Sequence, residues 1–472
     1  MNRPIRVAIV GAGPAGIYAG SILANRLPGV AIDLFESLPA PYGLIRYGVA
    51  PDHPRIKGIV TSLHEMLDGG AIRLIGNVEV GADLSVADLR AYYHAVIFAT
   101  GAIRDADLDI PGVEVAGSYG AADFVSWYDG HPDVPRDWAL DATRVAVLGN
   151  GNVALDVARI LAKNPRDLLT TEIPDNVVAG LTSSAVTDVH VFGRRGPSDV
   201  KFTPIELREL GELRDVDIVL DEADFEVEAA ASVDAVDGVK PSNQAKVIAR
   251  IFGSWREREA TGASRRLHLH FFHKPVEVLG DQRVDGLRFE RTALDDAGRT
   301  VGIAIDYPIE AVYRAVGYYG SPVNDVPFAP ATGTIPNEGG RVVDSDGARL
   351  PGLYATGWIK RGPVGLIGHT KSDATETIEN LLDDLDALQS ASDPSEDDIL
   401  ALLTSRDVPF TTWDGWLRLD AHERQLGATT PHDVERERVK VVPRDEQIAI
   451  SRDSISPGSR DAISQDEALA LS

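Results

Sequence analysis

Among its 472 residues the chain has no cysteine. That single absence excludes disulfides, a Cys-x-x-Cys redox pair, thiolate zinc sites and an internal iron-sulfur cluster. No metal-ligand set is assigned. Nor is there an apolar run near the 18 or so residues that a membrane span requires. The first strand begins by about residue 5, which leaves no space for a signal peptide, so a cytoplasmic protein is expected. Positive charge is scarce too: 46 Lys and Arg face 72 Asp and Glu, a net charge of -26. Such a balance argues against nucleic acid or anionic membrane as a general partner, and an acidic partner would need a local basic patch. The remaining composition, 44% hydrophobic and 25% charged, is that of a folded chain, and its length suits two or three domains.

The pattern of residues Arg6 to Glu36 organises the rest. An apolar run, Val7 to Val10, enters Gly11-Ala12-Gly13-Pro14-Ala15-Gly16; a helical pattern follows, and a second apolar run, Ala31 to Phe35, ends on Glu36. This reads as strand, glycine turn, helix and parallel strand. Gly11 permits the turn, Gly13 lets the backbone approach a pyrophosphate, and Gly16 lets the helix pack on the strand. The helix N-terminus then offers N-H groups to the anion. About 25 residues after Gly11, Glu36 can accept hydrogen bonds from both ribose hydroxyls and would repel a 2′-phosphate, so this site should take FAD or NAD.

Downstream, the Pro- and Gly-rich stretch 39–54 reads as an ordered loop that places His53 at a helix start beginning with Pro54, beside the presumed cofactor or simply in solvent. Asn77 to Val80 reads as a short strand, and His94 to Ala99 as a buried one closing on Thr100-Gly101 at the ligand edge of the sheet. The pattern then starts again. Val145 to Leu148 leads into Gly149-Asn150-Gly151-Asn152-Val153-Ala154 and a helix to Ala162, and the next strand, Val189 to Phe192, ends on Gly193-Arg194-Arg195. Two guanidiniums stand where the first unit has a carboxylate. Unless they merely decorate a solvated turn, they favour a 2′-phosphorylated ribose and hence NADP. Thr203 and Glu206 have the spacing of a capping box around Pro204, and Glu206 and Glu209 should share a helix face. Asp221 to Lys240 suggests an acidic surface hairpin or excursion, and strand-like alternation resumes over Leu267 to Val278, Gly286 to Thr292 and Tyr307 to Val316. Leu353 to Gly357 repeats the apolar run closing on Ala-Thr-Gly; a helix is expected from about Thr370 to Leu388, another structured piece over Trp413 to Gln425, and a loose tail over Ser451 to Ser472.

The segments YGLIRYGVAPDHPRIK (42–57), GNGNVALDVARIL (149–161), VFGRRGP (191–197), ELREL (206–210) and ATGWIKRGPVGLIG (355–368), in this order, resemble the ferredoxin:NADP reductases of the adrenodoxin reductase type. The resemblance spans roughly residues 3 to 450. It implies an α/β fold of two dinucleotide-binding (Rossmann-like) three-layer domains, with an NADP domain (105–321) inserted into a discontinuous FAD domain (1–104 and 322–472). It further implies FAD contacts at Ala15, Glu36, Leu44, Val80, Trp358 and Gly365, Leu366 and Ile367. NADP contacts fall at Asn150, Gly151, Asn152, Val153, Arg194, Arg195, Glu206 and Gly365. His53 becomes a flavin neighbour, with Glu209 as its partner across the cleft and the two as the catalytic pair.

Two nucleotide sites in one chain have reason to face each other if hydride passes between them, which requires reacting atoms about 3 to 3.5 Å apart. Without cysteine, reduced flavin has no internal acceptor, so electrons must leave, singly, to a ferredoxin-type iron-sulfur protein. The competing readings are an NADPH diaphorase or oxidase serving quinones, dyes or oxygen, and a flavin and NADP sensor module that does not turn over.

Overall fold

A computed structural model describes residues 5–234, 242–363, 367–388, 395, 397–429 and 434–453. Two separate parallel sheets organise it. In the first, five parallel strands run in the spatial order Arg349–Ala355, Ala95–Phe98, Arg6–Val10, Ala31–Phe35 and Arg73–Gly76. Antiparallel edges close it: Asn337–Glu338 and Arg341–Val343 on one side, Thr411–Thr412 on the other. The central strand is apolar at every position after Arg6 because both its faces are covered. Val7 and Ile9 enter a core with helices Pro14–Arg26 and Ile367–Asp383, whereas Ala8 and Val10 enter a second core on the opposite face. Burying such a side chain contributes about 1.5 to 3 kcal/mol, which explains why the run tolerates no polar interruption.

The second sheet is parallel throughout: Ser118–Gly120, Ala311–Arg314, Arg144–Leu148, Asp188–Phe192, Arg265–His270 and Val216–Leu220. Helix Asn152–Ala162 covers one face. A three-stranded antiparallel sheet, His273–Leu279, Gly286–Leu294 and Thr300–Tyr307, packs its apolar side chains on the other. This second unit is inserted into the first. The outgoing and returning chains, Arg104–Asp105 and Tyr318–Tyr319, pair as a two-stranded antiparallel ribbon.

Several local expectations change. The strand expected at Asn77–Val80 is instead Arg73–Gly76; Asn77 takes a positive φ of 56° and turns the chain, and Val80 forms only an isolated bridge with Leu84. The acidic segment after Asp221 is a helix, Glu222–Asp234, and not a hairpin, since its alanines favour that state; residues 235–241 lie outside the described residues. The C-terminal piece is a longer helix, Trp413–Thr429. Ser451 and Arg452 belong to a further helix, Arg444–Arg452, and the tail from 454 on lies outside the described residues. Between these two helices the segment 434–443 wedges between the sheets: Lys440 Nζ donates to the Arg46 carbonyl on one side at 2.6 Å and to the Asp129 carbonyl on the other at 3.0 Å.

Candidate active site

Each glycine turn divides its labour in the same way. A Cβ on Gly11 would lie 2.5 Å from the Ala99 carbonyl oxygen, and one on Gly16 would lie 2.0 Å from that of Gly11. These two glycines are packing glycines. Gly13 differs, for its closest neighbour would be the Gly43 Cα at 4.0 Å. In the second turn, a Cβ on Gly149 would lie 2.2 Å from the Ala315 carbonyl oxygen, while one on Gly151 would have nothing within 4 Å. So the middle glycine of both turns borders open space, as a backbone meant to meet a ligand must.

The neighbours of the first turn are drawn in by backbone contacts. Tyr42 N-H donates to the Ala12 carbonyl at 2.8 Å, which seats the loop leading to Leu44 over the turn. Gly357, at φ 76°, packs on the Ala15 side chain and brings half-buried Trp358 to the same rim. Gly101, also with positive φ, has open space around it at the end of the adjacent strand, and the Thr100 hydroxyl beside it is buried without a partner. Val80 sits half-buried on the loop after Asn77, whose Val78 N-H bonds the Glu36 carbonyl. Glu36 itself is buried. Its Oε2 accepts from Ala12 N at 2.8 Å, and its Oε1 accepts from Leu38 N at 3.1 Å and from the Ser37 hydroxyl at 3.2 Å. Burial raises its pKa, opposed by those same hydrogen bonds. A carboxylate has about four acceptor sites, so capacity remains for a ribose hydroxyl. Gly365 and Leu366 lie outside the described residues, and Ile367 is described only as the first residue of its helix.

At the second turn, Asn150 packs under Gly193, and the Asn152 side chain accepts from Thr203 N at 3.0 Å, tying the turn to helix Pro204–Leu210. Val153 is half-buried in the first turn of helix Asn152–Ala162. Arg194 and Arg195 are exposed and carry no ion pair or side-chain hydrogen bond among the described residues. In a chain whose other arginines are mostly paired, two free guanidiniums at this position are positioned for an anion. The capping box does not form: neither the Thr203 hydroxyl nor Glu206 Oε2 finds a partner, although both are buried. Burial raises the Glu206 pKa, and the charges of Asp156 and Glu209 add to the effect. A buried carboxylate oxygen orphaned in this way is what a missing ligand leaves behind.

His53 is buried and not solvated. It meets Glu209, with Nδ1 3.4 Å from Oε2, and sequence reasoning missed the rest of the cluster. Its Nε2 lies 2.9 Å from Asp156 Oδ1 and 2.8 Å from Arg159 Nη2; Arg159 grips Asp52 bidentately at 2.9 and 2.8 Å and Asp156 at 2.7 Å, and Lys163 reaches Asp52 at 2.8 Å. Thus three carboxylates balance three cations when His53 is protonated. Burial and Arg159 oppose the charge, but the hydrogen bonds of Asp156 and Glu209 prevail and push His53 up to about 9. Asp52, in spite of burial, is held well below the usual carboxylate range by Arg159 and Lys163. The i, i+3 spacing of Asp156 and Arg159 on the helix after a glycine turn was the available signal.

The family described as pyridine nucleotide-disulphide oxidoreductase matches residues 5–185. NADPH-ferredoxin reductase FprA of Mycobacterium tuberculosis is 38% identical over 468 residues, covering 95% of this chain and 99% of that protein. The mitochondrial NADPH:adrenodoxin oxidoreductase of Arabidopsis thaliana is 35% identical over 443 residues, 90% of this chain and 92% of its own length. A solved structure of M. tuberculosis FprA in complex with NADPH superposes with a TM-score of 0.84 at 38% identity, over 95% of this chain and 100% of that one. With one nucleotide fold inserted into another and relatives aligned almost end to end, the chain belongs to the adrenodoxin reductase-type family of NADPH:ferredoxin oxidoreductases.

Proposed function

We propose that this chain is an FAD-dependent reductase that takes hydride from NADPH and delivers electrons one at a time to a ferredoxin-type iron-sulfur protein. The observation that carries the reading is the pair of open middle glycines, Gly13 and Gly151, joined to opposite charges at the ribose ends, buried Glu36 and exposed Arg194 and Arg195. The residue set fits both cofactors. FAD would lie along Gly11 to Gly16 with Glu36 on its ribose and Leu44, Val80, Gly101, Trp358 and residues 365–367 around it; NADPH would lie on Asn150 to Val153 with the arginines on its 2′-phosphate. A bound flavin supplies two-electron acceptance and one-electron release, which a polypeptide without cysteine cannot.

The protein's own part is orientation and charge. Glu206 would be satisfied by a hydrogen-bond donor of the coenzyme. His53 and Glu209, pinned from both domains, would hold the nicotinamide side of the cleft closed to water, and His53, protonated at neutral pH, would supply positive charge or a proton there. We take residues 1–104 and 322–472 as the FAD domain and 105–321 as the NADP domain, in keeping with the strands each sheet draws on. A cytoplasmic location belongs to the same proposal. No helix among the described residues is long and apolar enough to cross a membrane.

Anaerobic mixing with NADPH tests the reading directly: the flavin absorbance should bleach, and added ferredoxin should restore it at a rate that falls as salt is raised, while dye reduction stays level. A flavin that stays oxidised would reduce the chain to a binding module. Fast turnover with quinone and none with ferredoxin would make it a diaphorase.

A further inference from the structure

We propose that His190, His268 and His270 form a binding site for a divalent transition-metal ion on the sheet of the inserted domain, separate from the residues of either glycine turn. Strand Asp188–Phe192 pairs in parallel with Arg265–His270, with His190 directly opposite His268. Alternate residues share a face, so His270 joins them one step along. The His190 and His268 rings stack at 4.1 Å with 9° between planes, and His190 Nδ1 lies 3.0 Å from His270 Nε2. One ring nitrogen from each of the three lies within 4.8 Å of the others. Around an ion bound to nitrogens at about 2.0 to 2.1 Å, tetrahedral geometry sets them roughly 3.4 Å apart. Seating the ion therefore asks for a turn of the His190 and His268 rings out of their stack, since their lone pairs lie in the ring planes, and for a closing movement on the scale of one ångström.

Two further features single this cluster out from an ordinary group of packed imidazoles. The first is its surroundings. His268 Nε2 lies 2.9 Å from Asp188 Oδ1, and Asp188 is fixed in turn by Arg266 at 2.7 Å and by the Thr187 hydroxyl at 2.9 Å. Donating Nε2-H to that carboxylate leaves the lone pair of His268 on Nδ1, the carboxylate-histidine arrangement that backs metal ligands. The second is incomplete pairing: His270 Nδ1 is buried with no hydrogen-bond partner. An all-imidazole set suits zinc, nickel or copper and disfavours magnesium and calcium. An ion held here would fasten two neighbouring strands of the inserted domain.

Equilibrium dialysis of the FAD-loaded protein against Zn2+ alone tests the site. The expected result is one zinc per chain, with affinity lowered at least 10-fold in His190→Gln and in His268→Gln and unchanged in His422→Gln, a histidine on another element. Flavin absorbance and circular dichroism report whether each variant is folded. X-ray absorption at the zinc edge of the unaltered protein supplies a readout that needs no variant, and should show imidazole nitrogen neighbours. Failure to retain zinc, affinity in both cluster variants equal to that of the unaltered protein, or an oxygen-only shell would each overturn the proposal.

Discussion

The two nucleotide cradles share a backbone plan and differ in how finished they are. At the first, Glu36 is buried and already held by Ala12 and Leu38 N-H groups. At the second, Arg194 and Arg195 stand in solvent, and Glu206 Oε2 and the Thr203 hydroxyl are unpartnered. A site ordered in advance loses little entropy on binding and retains its ligand; a site that must be ordered by the ligand releases it more readily. The contrast matches a resident flavin on one side and a coenzyme exchanged at each turnover on the other.

Glu36→Ala strikes at the finished site, so its effect should be the largest. It removes the charged acceptor and strands two buried N-H groups, at a cost of about 3 kcal/mol or more. The flavin content of the purified variant after gel filtration should drop accordingly, by roughly 100-fold in affinity. Full retention of colour would show that the cradle does not need its carboxylate. Arg194→Ala or Arg195→Ala should raise the NADPH requirement by roughly 10- to 100-fold, about 1.5 to 3 kcal/mol, and leave NADH use nearly as it was. If both coenzymes suffer alike, the arginines are not reading the phosphate and the asymmetry loses its meaning.

Between the cradles, the His53 cluster should give a moderate, pH-dependent effect. Its folded pKa of about 9 lies above the ordinary 6.5. The stability it contributes is therefore complete below about pH 6.5 and is lost as pH rises through about 9. The gap in thermal midpoint between the natural protein and His53→Gln should thus narrow between pH 6 and pH 10. A gap that widens would mean that His53 is neutral in the folded protein, with Nε2 accepting from Arg159. Smallest of all, Thr203→Val should change stability by less than about 0.5 kcal/mol, because no cap is lost; a working cap would cost about 1 kcal/mol. Denaturant melts distinguish these values.

Where the chain had to be read through local periodicity and turn chemistry, the sequence was a good guide. Both glycine turns and the strands feeding them stand in the fold as their residues suggested, with Glu36 and the Arg194–Arg195 pair just beyond the second strand of each unit, since each unit is determined within about 50 residues of chain. What escaped depends on contacts made at long range. His53 sits between prolines and looks solvent-exposed, yet Asp156, Arg159 and Glu209 arrive from the inserted unit more than 100 positions later to bury it. The Thr203 and Glu206 spacing fits a cap, but the Asn152 side chain takes the Thr203 N-H and leaves the pair idle. Asn77 breaks a strand by adopting a left-handed conformation that Asn tolerates better than most residues. The histidine triad had a visible half, His268 and His270 at strand spacing, but His190 joins only when the parallel register is known.

The paired ribbon of Arg104–Asp105 with Tyr318–Tyr319 has a further consequence. Departure and return occur side by side, about 5 Å apart as antiparallel neighbours are. All eight strands of the host sheet come from outside that span. The coenzyme unit is in this sense a cassette: a short turn could rejoin the severed ends without removing a strand from the sheet that remains.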